Sequence, residues 1–410
     1  MSGGRIATVF AICTSLLLGN LALPQGLSYT PVPSGFDFPA DERVLLDAVS
    51  RGDEEQLRTH AWTVFAGLTQ KTRQNDPNSE AVWETWYTGD EVFSAETGVQ
   101  KGLRSLKRDL VAPRQFSPHG GAHLKAAGES QLSSTLFNQE LKDHTRSEKL
   151  QLHRTMKAIN DGWPAQTPVE NRKVKDYPRG AMSLKLVWMP VAKNGMTAIP
   201  TWDEMPVTDV AGAFPPSSWK RRVAVDPSRS SVPEGELTDL PGFPGSRVVP
   251  LTAFHHFKLD AEQAARFGRD EGDYAVLVGM HYTTKEIPNW FWATFWWHDR
   301  PNDGPYAADR LDDTKIRGPW RNYLMDIAYD MDLPKETNGT PNAVFNPWLE
   351  AHFENGVNSN CMTCHQRAIW TEPDATFLPI TRGAAPANDP IFRNSTKVDF
   401  LWSLPLEGNN

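Results

Sequence analysis

Residues 274–297 read YAVLVGMHYTTKEIPNWFWATFWW, two apolar runs separated by a short polar stretch. Tyr274–Tyr282 and Trp290–Trp297 are rich in Val, Phe, Trp and Tyr at strand length, and the seven-residue connection Thr283–Asn289 predicts an antiparallel hairpin. That pairing sets His281 beside Trp290 and Trp292. It sends His298 to the opposite end, roughly 20–25 Å away at about 3.3 Å per residue. Trp290, Trp292 and Trp296 share one face of the second run and Phe291, Phe295 and Trp297 the other, the pattern of a strand buried on both sides.

Working outward, Met182–Val191 (MSLKLVWMPV) and Arg247–Leu259 read as further strands of the same sheet system. Before them, Asp53 follows Gly52 as an N-cap, and Leu57, Ala61, Phe65 and Leu68 recur at helical spacing. A second helix is expected over Ser134–Asp161, stopped by Gly162, Trp163 and Pro164, whereas Trp83, Trp86 and Phe93 sit in a loop-like context. Residues 214–243, rich in Pro and Ser, read as a surface excursion. The fold class expected is α+β: a mainly helical part over 27–178, a β-rich, sandwich- or barrel-like part over 179–340, and a C-terminal segment, 341–410, packed onto the same body. With 32 prolines and 15 tryptophans in 410 residues, long helices should be few and aromatic packing heavy.

The net charge of -8 argues against a nucleic-acid partner. Within residues 101–160, eleven Lys and Arg stand against five Asp and Glu. Such a segment suits an acidic redox partner or an anionic substrate, or is simply the solvated face of helices. Met1–Ala22 runs from Arg5 into the apolar stretch Ile6–Leu18, which predicts a secretory signal peptide over residues 1–26. The run is shorter than the ~20 residues of a spanning helix; a retained anchor is the alternative. The mature chain is therefore expected to be periplasmic or secreted, without a membrane span.

Cys361, Met362, Thr363, Cys364 and His365 spell C-x-x-C-H, the attachment signature of c-type haem. Two thiols at this spacing can reach the two vinyl groups of one porphyrin, and the next residue projects its imidazole onto the iron. One haem c per chain is expected, covalently held by Cys361 and Cys364 with His365 as axial ligand. Two alternatives stand beside it. A zinc site wants four ligands, and there is no second cysteine pair; a Cys361–Cys364 disulfide suits an oxidising compartment. Export favours haem, because covalent attachment in bacteria takes place outside the cytoplasm. The 45 residues after His365 contain no Met, His or Cys, so any second ligand comes from upstream.

The stretch AVFNPWLEAHFENGVNSNCMTCHQRA (Ala343–Ala368), with HYTTKEIPNWFWATFWW (His281–Trp297), HAWTVFAGL and WETW upstream, resembles exported bacterial monohaem cytochrome c family proteins that are rich in tryptophan. The resemblance implies haem binding and electron transfer, without a substrate. Ser359 and Arg367 match the pattern with no role attached.

Geometry selects His281 as the candidate for the far side of the iron, as ligand or pocket residue. Lys285, four residues on, is the candidate for a propionate or an anionic group. A satisfied histidine at a strand end is the bland reading of His281; His255, His256, His352, Met325 and His298 are alternatives, and Met280 points to the opposite face. Three functions fit: an electron carrier, a haem enzyme of peroxidase or oxygenase type with an open distal site, or a haem-based sensor. Partners are accordingly a redox protein or a small-molecule substrate.

Overall fold

The computed structural model describes residues 28–76, 78–94, 110, 131–203, 212–330, 342–372, 383–386 and 389–407. Residues 1–26, expected to be a signal peptide, lie outside them, as do residues 101–109 and 111–130 of the basic segment. Among the described residues no helix is long and apolar enough to cross a membrane.

The protein is a mixed α+β structure organised on one large sheet. It contains β1 (Tyr87–Thr88), β2 (Leu132–Phe137), β3 (Met182–Val191), β9 (Tyr274–Thr284), β10 (Phe291–Trp297) and β11 (Tyr323–Ala328) in that spatial order, with β8 (His256–Lys258) paired to β9. All pairings within it are antiparallel. β9 and β10 form the hairpin that the opening stretch predicts, in a register that sets Thr284 opposite Phe291 and His281 opposite Thr294. β1 and β11 do not pair, so the sheet is open rather than closed into a barrel. A smaller sheet takes β4 (Thr197–Thr201), β5 (Arg221–Asp226), β7 (Phe243–Pro250) and β6 (Leu237–Leu240); β5 and β6 lie inside residues 214–243, expected to be a surface excursion, so that stretch supplies two of its strands.

The two faces of the large sheet enter different cores. α1 (Glu42–Arg51) turns through Gly52, at φ +63°, into α2 (Glu54–Leu68), whose Asp53 N-cap accepts from Gln56 N. α2 lies on the face carrying Tyr282 and Phe295: Phe65 stacks on Phe295 at 4.1 Å, and Tyr282 donates to the Ala61 carbonyl. The other face carries Trp292 and Ala328, which belong to a second apolar cluster with Val344, Met362, Trp370 and Leu401. Phe93, Phe137 and Tyr177 from earlier in the chain belong to the same cluster.

One helix expectation is corrected. The helix read over Ser134–Asp161 begins as a strand, β2, and only then continues as α4 (Gln139–Ser147) and α5 (His153–Asp161), which follow α3 (Gly89–Phe93). LSSTLF is a poor helix sequence, since Ser and Thr give up side-chain freedom or compete for backbone bonds, and it pairs with β3 from Leu132↔Trp188 to Phe137↔Ser183. Asn138 makes the change of state, its side chain accepting from both Leu141 N and Met182 N. The part expected to be mainly helical thus donates a strand to the central sheet.

Candidate functional site

α7 (Cys361–His365), which follows α6 (Ala261–Phe267), is a single turn begun by Asn360, whose side-chain oxygen accepts from Met362 N and Thr363 N. Cys361 N donates to the Val344 carbonyl. Positions i, i+3 and i+4 share a helix face, so Cys361, Cys364 and His365 point together and stay half-buried, while Met362 and Thr363 pack inward. The two sulfurs are not bonded to each other. Burial, with the charge of Glu350 adding to it, pushes the Cys364 thiol up to about 12 and the Cys361 thiol well above its ordinary value. Both are neutral thiols in this surrounding. Among the described residues no group of three His, Cys, Asp or Glu is arranged to hold a metal ion.

His365 is oriented from behind. Its Nδ1 lies 2.7 Å from the Phe400 carbonyl oxygen, an acceptor only, so the ring carries its proton on Nδ1 and keeps the Nε2 lone pair. Burial lowers its pKa to about 4, which keeps it neutral. The carbonyl is presented by a strained turn, with Asp399 at φ +48° and Phe400 at φ +66°, unusual for residues other than glycine. The turn is held by the Asp399 carboxylate, which accepts from Tyr177 N at 2.9 Å and pairs with Lys285 Nζ at 2.6 Å; Lys285 also donates to the Pro288 carbonyl. Lys285, expected beside a propionate or an anionic ligand, is instead committed to this buried ion pair. On its open side His365 meets the Trp292 ring, with centroids 4.3 Å apart.

The sheet register then assembles a row. Thr135 pairs with Lys185, Lys185 with His281, His281 with Thr294 and Thr294 with Asp326, so one line across five strands shares one face. In β2 only Thr135 is less than buried, and in β11 only Asp326; in β9 from Ala275 onward it is only His281. These side chains retain some solvent access although protein packs densely round them, and the same holds for Glu350, Cys361, Cys364 and His365. This partly accessible face of the sheet lies close to α7: the charges of Asp326 and Glu350 are felt at Cys361, and that of His365 at His281.

Burial first, then the nearby charges of His365 and Lys185, brings His281 down to about 3. It is a neutral imidazole within electrostatic reach of His365, with no hydrogen bond among the described residues. Glu350 is held over the row by Asn346, whose backbone N–H donates to its carboxylate at 2.6 Å and whose side-chain amide donates to Thr294 Oγ1 and the Phe295 carbonyl. The fit is close: a Cβ on Gly279 would lie 2.9 Å from Asn346 Oδ1. Burial raises Glu350 to about 7, with Lys185 working against it, and Asp326 also to about 7, with Arg58 opposing.

The alternative ligands lie elsewhere. His298 bonds to Asp203 at the far end of β10, His255 bonds to Glu84 and stacks on Trp320, and His256 Nδ1 bonds to the Phe254 carbonyl. Met280 and Met325 are buried on the α2 face. Burial lowers His352, on the segment before α7, to about 4. Ser359 donates to the Gly356 carbonyl and so closes the turn before the motif, while Arg367 donates to the carbonyls of Thr363 and Gly383 and ties α7 to the tail. Sequence reasoning did not find Lys185, Asp326, Glu350 or the Asp399–Phe400 turn. The first two did leave a signal, as the lone charge inside the strand runs MSLKLVWMPV and YLMDIA. No family model, curated protein or solved structure matches the chain.

Proposed function

We propose that the chain is an exported c-type haem protein that carries one haem and acts in electron transfer or related redox chemistry. The carrying observation is His365: a neutral imidazole fixed in its tautomer by the Phe400 carbonyl, its Nε2 without a hydrogen bond among the described residues, on the same helix face as two thiols that form no disulfide. The donor set fits the group. Cys361 and Cys364 would hold it covalently, His365 would give its Nε2 lone pair to the iron, and His281, neutral and unpartnered among the described residues, would serve the other side. Haem bound there supplies a reversible one-electron couple. Trp292 excludes water beside His365, and the Lys285–Asp399 pair keeps the imidazole's back bond in place. Residues 341–410 then act as a haem-bearing segment integrated in the main body, and the partner is a redox protein or a small molecule. A second reading, a haem enzyme with an open or displaceable site, is favoured by the partly accessible ionisable groups Lys185, Asp326 and Glu350 near α7.

Produced in an exporting, haem-maturing host, the protein should gain the mass of one haem that resists acid-acetone extraction. Replacing both Cys361 and Cys364 with Ala should abolish the gain. Extractable haem, or none, in the unaltered protein would sink the proposal. His281→Ala should turn a low-spin spectrum high-spin and open the iron to carbon monoxide if His281 is the ligand; an unchanged spectrum removes it from that role.

A further inference from the structure

We propose that Glu350 and Asp326 form a proton-exchange site beside α7, which takes up a proton from water as the centre proposed there gains an electron. The inference rests on the haem reading and adds a coupled proton to it. Its basis is placement. Asp326 ends the ionisable row across the sheet, and Glu350 is clamped above the same row by Asn346. Both carboxyls keep partial solvent access within dense protein, so protons can reach them. The charge of each is felt at Cys361, and that of Glu350 also at Cys364.

The other charged or titratable groups facing the pair come from every neighbouring element. β3 supplies Lys185 and β9 supplies His281, while α7 supplies the two cysteines and His365. On the side of Asp326 stand Arg58 and Glu54 from α2, with Tyr306 and Tyr329 beyond. Lys185 and Arg58 favour the charged carboxylates, and enclosure opposes them. The balance leaves both groups near neutrality, where a unit change of charge close by shifts their protonation most.

The step balances simply. One electron passes from an added chemical reductant to the iron; one proton leaves hydronium and forms an O–H bond at a carboxylate oxygen. Nothing else is oxidised or reduced. The midpoint potential of the haem-loaded protein should therefore fall as pH rises across neutrality, with a limiting slope of about 59 mV per pH unit for one proton per electron. A pH indicator in weakly buffered solution should report proton uptake on reduction by dithionite. Glu350→Gln and Asp326→Asn should each flatten the slope, and together remove it. Each keeps the oxygen that accepts from Asn346 N or Ile327 N, and circular dichroism would check that each folds. A pH-independent potential in the loaded protein, or a slope unchanged in both variants, overturns this inference and leaves the haem reading standing. A chain that carries no covalent haem overturns both.

Discussion

At the scale of single residues, the position of His365 depends on a charge pair that does not touch it. Lys285 and Asp399 are 114 residues apart, both almost fully buried, and their contact holds the left-handed turn that offers the Phe400 carbonyl. Removing one member of a buried pair leaves the other charge uncompensated, which typically costs about 3–5 kcal/mol. Lys285→Met or Asp399→Asn should each lower stability by about that much in chemical denaturation, whereas the two combined should cost less than the sum of the singles. Both single variants should also alter the absorption spectrum of the loaded protein, because the turn that fixes the imidazole loosens. The motif itself is legible in five consecutive residues, and His281 follows from hairpin geometry. The partner of Lys285 is not, since nothing local in the chain says which distant carboxylate a lysine will meet.

At the scale of elements, the hairpin β9–β10 is legible because its apolar runs are long, rich in aromatic and β-branched residues, and closely spaced. β2 is not. LSSTLF is short and is followed at once by a good amphipathic helix, so the helical period of α4 and α5 absorbs it. The boundary rests on Asn138, which caps α4 and simultaneously accepts from Met182 N in β3. Asn138→Ala should cost about 1–2 kcal/mol, the upper range for a lost N-cap, because two backbone donors lose their acceptor. Thermal unfolding would measure it. Asn138→Asp keeps the accepting oxygen but sets its second oxygen against the Gly180 carbonyl, to which Asn138 Nδ2 donates at 2.6 Å, and should recover only part of the loss.

At the scale of the whole molecule, the small sheet is fastened to the large one through charge. Asp203 and Asp299 both pair with Arg221 of β5, Asp203 also meets His298 and Arg300 just after β10, and Arg247 of β7 reaches the Asp299 carbonyl. Burial works to raise the Asp203 carboxyl, but hydrogen bonds from His298 and Arg221 outweigh it and hold it well below the usual carboxylate range. A depressed folded-state pKa stabilises fully above the unfolded value of about 3.9 and is lost as pH falls through the folded one. Asp203→Asn should therefore cost about 1–2 kcal/mol at neutral pH, and the gap from the unaltered protein, measured by denaturation against pH, should narrow only in strong acid. The join between His365 and Phe400 has a consequence in time. The acceptor that fixes the imidazole lies 35 residues downstream, so the thiols stay open for as long as that part of the chain has not folded behind them. The covalent attachment proposed for the exported chain should therefore precede folding of the tail, and the tail should act as the last-closing door. A chain ending before Asp399 should acquire its covalent group at least as fast as the full one in a pulse-labelling experiment, then lose it more readily to proteolysis.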